Sequence, residues 1–84
     1  MNYSLSIKQS AFKALAKIDA PQRKRLIEAI DKLKTNPVAG SVLKGEFSGL
    51  RRIRVGDYRI VYEVHEEKLI ILVIRIAHRR EVYK

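Results

Sequence analysis

The stretch LRRIRVGDYRIVYEV, residues 50–64, decides the fold. Two short runs rich in β-branched and aromatic residues flank Gly56-Asp57, a glycine-first pair suited to a two-residue type II′ hairpin loop. A loop that short fixes the pairing: Val55 opposes Tyr58, Arg54 opposes Arg59, and Ile53 opposes Ile60. Successive side chains point to opposite faces of a strand. Ile53, Val55, Tyr58, Ile60 and Tyr62 therefore share one face, and Arg52, Arg54 and Arg59 share the other. Like charges directly opposite one another are destabilising, and arginine cannot shed its proton to relieve the repulsion. An anion between them removes the penalty, and the planar guanidinium fork suits phosphate. A carboxylate such as Glu63 is the alternative neutraliser.

Downstream, LIILVIRIA (69–77) follows a polar turn, His65 to Lys68, and predicts a third strand. Its lack of alternation implies cover, at least in part, on both faces. With the turn at 65–68, Val64 pairs with Leu69, Arg59 lies near Ile74, and the even-numbered residues share the face of Arg59. His78 then extends that face beyond the strand, with Arg79, Arg80 and Tyr83 following within reach. Ile70, Leu72 and Ile74 lay an apolar strip beside the basic one, to be covered by the chain's own loop or by a partner.

Upstream, Tyr3, Leu5 and Ile7 alternate with polar residues, as in a short first strand. From Gln9 to Ile18, Ala11, Phe12, Leu15 and Ile18 fall at helical spacing. Asp19, Pro21 and Gln22 mark a second helix start, with the spacing of a capping box. Leu26, Ile27, Ile30 and Leu33 give that helix an apolar face, Arg23, Lys24, Arg25, Lys32 and Lys34 a basic one, and Asn36-Pro37 a stop. Residues 37–49, with one proline and three glycines, predict a loop. The expected fold is α+β, one domain over residues 1–84. Its order is strand–helix–helix–three strands, a twisted antiparallel sheet with a helical hairpin on one face.

Eighteen Lys+Arg against nine Asp+Glu leave a net charge of +9, which favours a polyanionic partner. The absence of cysteine removes disulfides and thiolate catalysis. The N-terminus lacks the pattern of a signal peptide, and LIILVI (69–74) is too short to span a membrane. The expectation is a soluble cytoplasmic protein. His65 and His78 stand apart, so no metal or other cofactor is expected, and no glycine-rich phosphate loop is present. Phosphodiester chemistry then remains open if RNA supplies its own nucleophile, the 2′-hydroxyl. The protein need only align that group, stabilise the added negative charge and move protons. The arginines suit the second task; His78 and Tyr83 are the candidate proton carriers.

LKGEFSGLRRIRVGDYRIVYEV (43–64), the aliphatic strand after it, and HRREVY (78–83) resemble the RelE family of toxin–antitoxin toxins, within the RelE/ParE superfamily. The resemblance spans essentially the whole chain. It implies a fold similar to small microbial ribonucleases and an endoribonuclease that cleaves messenger RNA in the ribosomal decoding site. The products would be a 2′,3′-cyclic phosphate and a 5′-hydroxyl. Arg59 then matches the phosphate-stabilising arginine, Arg54 and Arg52 match basic positions on the preceding strand, and Arg79 matches the arginine that helps the leaving group. Tyr83 matches the terminal tyrosine that stacks on or orients the substrate. Some members carry lysine, a candidate base, at the positions of Arg52 and Arg54. Arginine is a poor base, so proton transfer is expected to involve His78. Lys44, Arg51, Arg52 and Arg80 are the expected RNA-binding residues. The resemblance also implies an acidic antitoxin bound in a hetero-oligomer. Its alternatives are a ParE-like poison of DNA gyrase and a non-catalytic basic RNA-binding module.

Overall fold

The computed structural model describes residues 3–42 and 50–78. Five strands and two helices follow one another in the order β1 (Ser4–Ile7), α1 (Gln9–Ala16), α2 (Ala20–Lys32), β2 (Ser41–Val42), β3 (Leu50–Val55), β4 (Tyr58–His65) and β5 (Ile70–His78). They form a single sheet in the spatial order β1-β5-β4-β3-β2. The α+β class and the strand–helix–helix opening agree with expectation. Two features correct it. The sheet is mixed and not wholly antiparallel, because the first strand pairs with the last in parallel, Ser4 opposite Ile70 through Ile7 opposite Val73. Part of the expected 37–49 loop is the two-residue strand β2, antiparallel to β3 with Ser41 opposite Arg52. Among the described residues no helix is long and apolar enough to cross a membrane.

The β3–β4 register is the one that the two-residue turn dictates, with Arg54 opposite Arg59. Gly56 has φ +60°, and Asp57 is not in the positive-φ region, the combination that distinguishes II′ from I′. The second turn falls one residue later than expected. His65 stays in β4 and pairs with Ile70, and Leu69 takes the left-handed φ of +55° that closes the turn. The β4–β5 ladder then contains a bulge. Tyr62 opposes Val73 but Val61 opposes Arg75, so Ile74 is the extra residue.

That bulge answers a conflict in the sequence. Ile71 and Val73 are fully buried, and strict alternation would send Arg75 into the core behind them. Burying an unpaired guanidinium is prohibitive. One inserted residue switches the phase, placing Ile76 in the core and leaving Arg75 exposed. The missing alternation of β5 thus has two sources, this phase change and a half-buried apolar row on the open face.

The helices cover one face. Ala11 and Leu15 of α1, Leu26 and Ile30 of α2, and Leu33 after it pack with Ile60, Tyr62, Ile71, Val73 and Ile76. Each fully buried aliphatic side chain contributes roughly 1.5–3 kcal/mol of transfer free energy. The buried seam is narrower than the apolar stripes suggested. Phe12 is 59% exposed and Ile27 49%, because each lies one residue, about 100° of helical turn, from the Ala11/Leu15 and Leu26/Ile30 seam. At the start of α2, Pro21 occupies the first turn and Asp19 the cap position, but the Asp19 side chain makes no capping bond. Instead Arg23 Nη1 donates to Ile18 O (3.1 Å) and Ala16 O (3.4 Å), placing a cation at the carbonyl end of α1. The helix ends at Lys32, ahead of the expected Asn36-Pro37 stop.

A buried latch holds the segment before β2 to the sheet. Tyr62, fully buried, accepts a hydrogen bond from the Gly40 N–H (3.0 Å) and donates one to Pro37 O (2.8 Å). Arg51, directly opposite Tyr62, donates from Nη1 to Gly40 O (2.8 Å). A Cβ at residue 40 would sit 2.6 Å from Arg52 O and 2.8 Å from Tyr62 Oη, so only glycine fits. Burial raises the Tyr62 pKa, opposed by the Gly40 hydrogen bond and the Arg51 charge. Tyr62→Phe, which strands the Gly40 N–H and the Pro37 carbonyl, should destabilise the fold by roughly 1–3 kcal/mol in urea titrations, and Gly40→Ala by more. Above pH about 10, where an unfolded tyrosine ionises, the unfolded chain binds fewer protons than the native one. Native stability must then fall with rising pH. Repeating the titrations over that window should show a shallower fall for Tyr62→Phe.

Candidate functional site

The face of the sheet away from the helices carries the basic side chains. The registers of β3–β4 and β4–β5 lay them in two adjacent rows. Arg54, Arg59 and Ala77 form one, and Arg52, Val61 and Arg75 the other. Ser41 of β2 continues the second row beside Arg52. Beyond these rows the face turns apolar, with Leu50 and Leu72 flanking Glu63, and Ile70 next to them. Four arginines therefore gather at the end of the sheet bounded by the Gly56-Asp57 turn.

Their environments differ. Arg54 and Arg75 are exposed, whereas Arg52 and Arg59 are half-buried. Nε and Nη1 of Arg59 are shielded from solvent. Its cross-strand neighbour toward β5 is the small, buried Ala77, which leaves room for the guanidinium to lie against the sheet. A cation in such surroundings attracts an anion more strongly than one in water. Arg54, Arg59 and the turn residues Gly56 and Asp57 line a small cavity of about 100 Å³. Two guanidiniums lining a small recess can hold an oxyanion such as phosphate, in competition with the Asp57 carboxylate that lines it too.

Three expectations are corrected. Arg59 lies opposite Ala77, not near Ile74, because the β4–β5 turn starts later and the bulge adds a residue. The same bulge reverses the face of everything after Ile74. His78 consequently opposes Tyr58 on the helix-covered side, its ring edge-on to the tyrosine at 5.2 Å between centroids and 87° between planes. It does not extend the arginine face. Arg51 alternates away from Arg52 and is held in the Gly40 latch, on the face opposite the other arginines. Lys44, Arg79, Arg80 and Tyr83 lie outside the described residues.

Arg75 joins the cluster without having been anticipated. Its signal was present: an arginine two positions after a core valine and next to another core isoleucine marks a strand that must change phase.

Replacing Arg54 by glutamate converts a like-charge pair into a complementary one. Arg54→Glu should stabilise the free protein by roughly 0.2–1 kcal/mol. Millimolar sulfate, below the range of its general stabilising effect, should raise the melting temperature of the wild type, and Arg54→Glu should abolish that rise. Thermal unfolding with and without sulfate reads both effects.

Comparison with known proteins follows the same lines. Residues 5–83 match the family model described as ParE toxin of type II toxin–antitoxin system, parDE. The chain is 30% identical over 89 residues to toxin RelE1 of Methanocaldococcus jannaschii, covering 100% of this chain and 98% of the relative. The archaeal RelE–RelB complex of Pyrococcus horikoshii contains a chain with TM-score 0.80 and 31% identity, covering 98% of this chain and 100% of that one. The RelBE2 toxin–antitoxin complex of Mycobacterium tuberculosis contains another, with TM-score 0.87 and 25% identity, covering 94% and 100%.

Proposed function

The chain belongs to the RelE/ParE family of toxins of type II toxin–antitoxin systems, and we propose that it is an endoribonuclease that cuts messenger RNA on the ribosome. The observation that carries this reading is the opposed Arg54–Arg59 pair, which lines a small recess with Gly56 and Asp57 and has Arg52 and Arg75 in the next row. An anion bound on the open face would relieve the repulsion of that pair.

In the proposed reaction the scissile phosphate sits between Arg54 and Arg59. The ribose 2′-oxygen forms a bond to phosphorus as its proton leaves, and the bond from phosphorus to the 5′-oxygen breaks. The 5′-oxygen takes up a proton, giving a 2′,3′-cyclic phosphate and a 5′-hydroxyl. Arg59, partly shielded from water, stabilises the charge that builds on the phosphoryl oxygens. Arginine remains protonated, so the proton carriers must come from elsewhere. With His78 turned to the helix side, the proposal assigns proton movement to Tyr83 and leaving-group support to Arg79. Lys44, Arg52 and Arg80 are assigned to the RNA backbone.

The partner that fits a chain of net charge +9 with an apolar strip next to its basic rows is an acidic antitoxin bearing an amphipathic segment. The Pyrococcus and Mycobacterium relatives are themselves toxin–antitoxin complexes. The proposal is a hetero-oligomer in which the antitoxin's carboxylates take the place of phosphate at the arginine rows.

Mapping cut sites on translating ribosomes by primer extension tests the reading. Wild type should cut within the decoding site. Arg59→Ala should lose at least about a hundredfold in rate, the scale on which one charge-stabilising donor acts. His78→Gln should keep a maximal rate near that of wild type at saturating RNA, because the histidine lies on the helix side; a loss of maximal rate matching Arg59→Ala would return it to the chemistry. No cutting by folded wild type would overturn the nuclease reading and turn attention to DNA gyrase, the target implied by a ParE-like toxin.

A further inference from the structure

The Gly56-Asp57 turn borders two recesses, one on each face of the sheet. The arginine recess lies on the open face. On the helix side the same two residues, with Gln22, Arg25, Tyr58 and His78, line a second cavity of about 250 Å³. The Gln22 and Arg25 side chains converge over the turn: a Cβ built on Gly56 would lie 3.8 Å from Gln22 Oε1 and 3.9 Å from Arg25 Nη1. The edge-on Tyr58–His78 ring pair forms a wall of this cavity. It is also a wall of an adjoining recess that Lys13 and Lys17 of α1 line.

These groups differ in kind from the arginine rows. An amide, a carboxylate and a guanidinium supply both donors and acceptors, as the edge of a nucleobase requires. Aromatic rings supply the flat apolar surface on which an unstacked base rests. The neighbouring lysines supply the positive charge that a phosphate one step along the chain would need.

We infer that the helix-side cavity is a nucleobase subsite for single-stranded RNA. The strand that places one phosphate between Arg54 and Arg59 crosses the Gly56-Asp57 turn and seats a flanking base against Tyr58 and His78. There Gln22, Arg25 and Asp57 meet its edge. The inference rests on the RNA-cleaving reading for its ligand class, and it assigns His78 a binding role on the opposite side of the sheet from the reaction. It also gives the compact turn a purpose. With only two residues between the strands, consecutive nucleotides can reach both faces.

The test is a nuclear magnetic resonance titration of the isotope-labelled protein with a single-stranded oligouridylate of about eight nucleotides, within the span of known single-strand sites. Weak binding registers in such a titration as chemical-shift changes. Resonances of Gln22, Tyr58 and His78 should move together with those of Arg54 and Arg59. Tyr58→Leu, which keeps an apolar side chain but removes the stacking surface, should weaken binding about tenfold. Gln22→Ala should weaken it measurably. Lys24→Gln removes a positive charge from α2 outside the cavity and should leave the helix-side shifts in place. RNA that perturbs only the arginine face, with wild-type affinity in Tyr58→Leu, would overturn the subsite and leave the nuclease reading intact. Absence of shifts on either face at millimolar RNA would also overturn it, while the ribosome assay decides the nuclease reading independently.

Discussion

The shortness of the Gly56-Asp57 turn leaves the β3–β4 register no freedom, and most of the molecule follows from that register. Gly56 adopts a φ of +60° that side-chain-bearing residues rarely take. Once the turn is set, Ile53 and Ile60 are opposed on the helix side and Arg54 and Arg59 on the open side. The two pairings are inseparable, because a shift of one residue would exchange the faces. Burial of Ile60 and Tyr62 therefore holds the arginines together against their repulsion. The hydrophobic core supplies the free energy, and the open face receives a charge arrangement that it would not form alone.

The bulge at Ile74 does the complementary work on the other side of β4. It reconciles a core that needs Ile71, Val73 and Ile76 with a strand that also contains Arg75. Its effects reach the site in both directions, adding Arg75 to the basic rows and withdrawing His78 to the helix side. A single inserted residue thus separates a cluster of arginines on one face from an aromatic pair on the other. Bulges beside functional sites commonly re-aim side chains in this manner.

Arg51 and Arg52, adjacent in sequence, show how strand alternation divides labour. Arg51 shares its bond to Gly40 with the Tyr62 latch, which docks the 37–42 segment and lines β2 against β3. Arg52 faces the open side with Arg75. Arg51 thus serves the fold, and Arg52 belongs to the open basic face.

The sequence by itself determined the α+β class, the strand–helix–helix opening, the hairpin register and the opposed arginine pair. Each of these depends on local chemistry: a glycine-first turn, alternation over a few residues, and helical spacing of aliphatics. It also carried the family resemblance, in the hairpin and in the HRREVY ending. What the tertiary structure decided was longer in range. The parallel β1–β5 pairing joins the two ends of the described chain, and no local pattern specifies a strand's distant neighbour. The face of His78 depended on where a phase conflict in β5 was resolved, which required knowing that Val73 and Ile76 share one core. The role of Arg51 depended on a carbonyl eleven residues away. Local propensity fixes short-range geometry, whereas strand neighbours and the placing of a bulge are settled only when the whole core is packed at once.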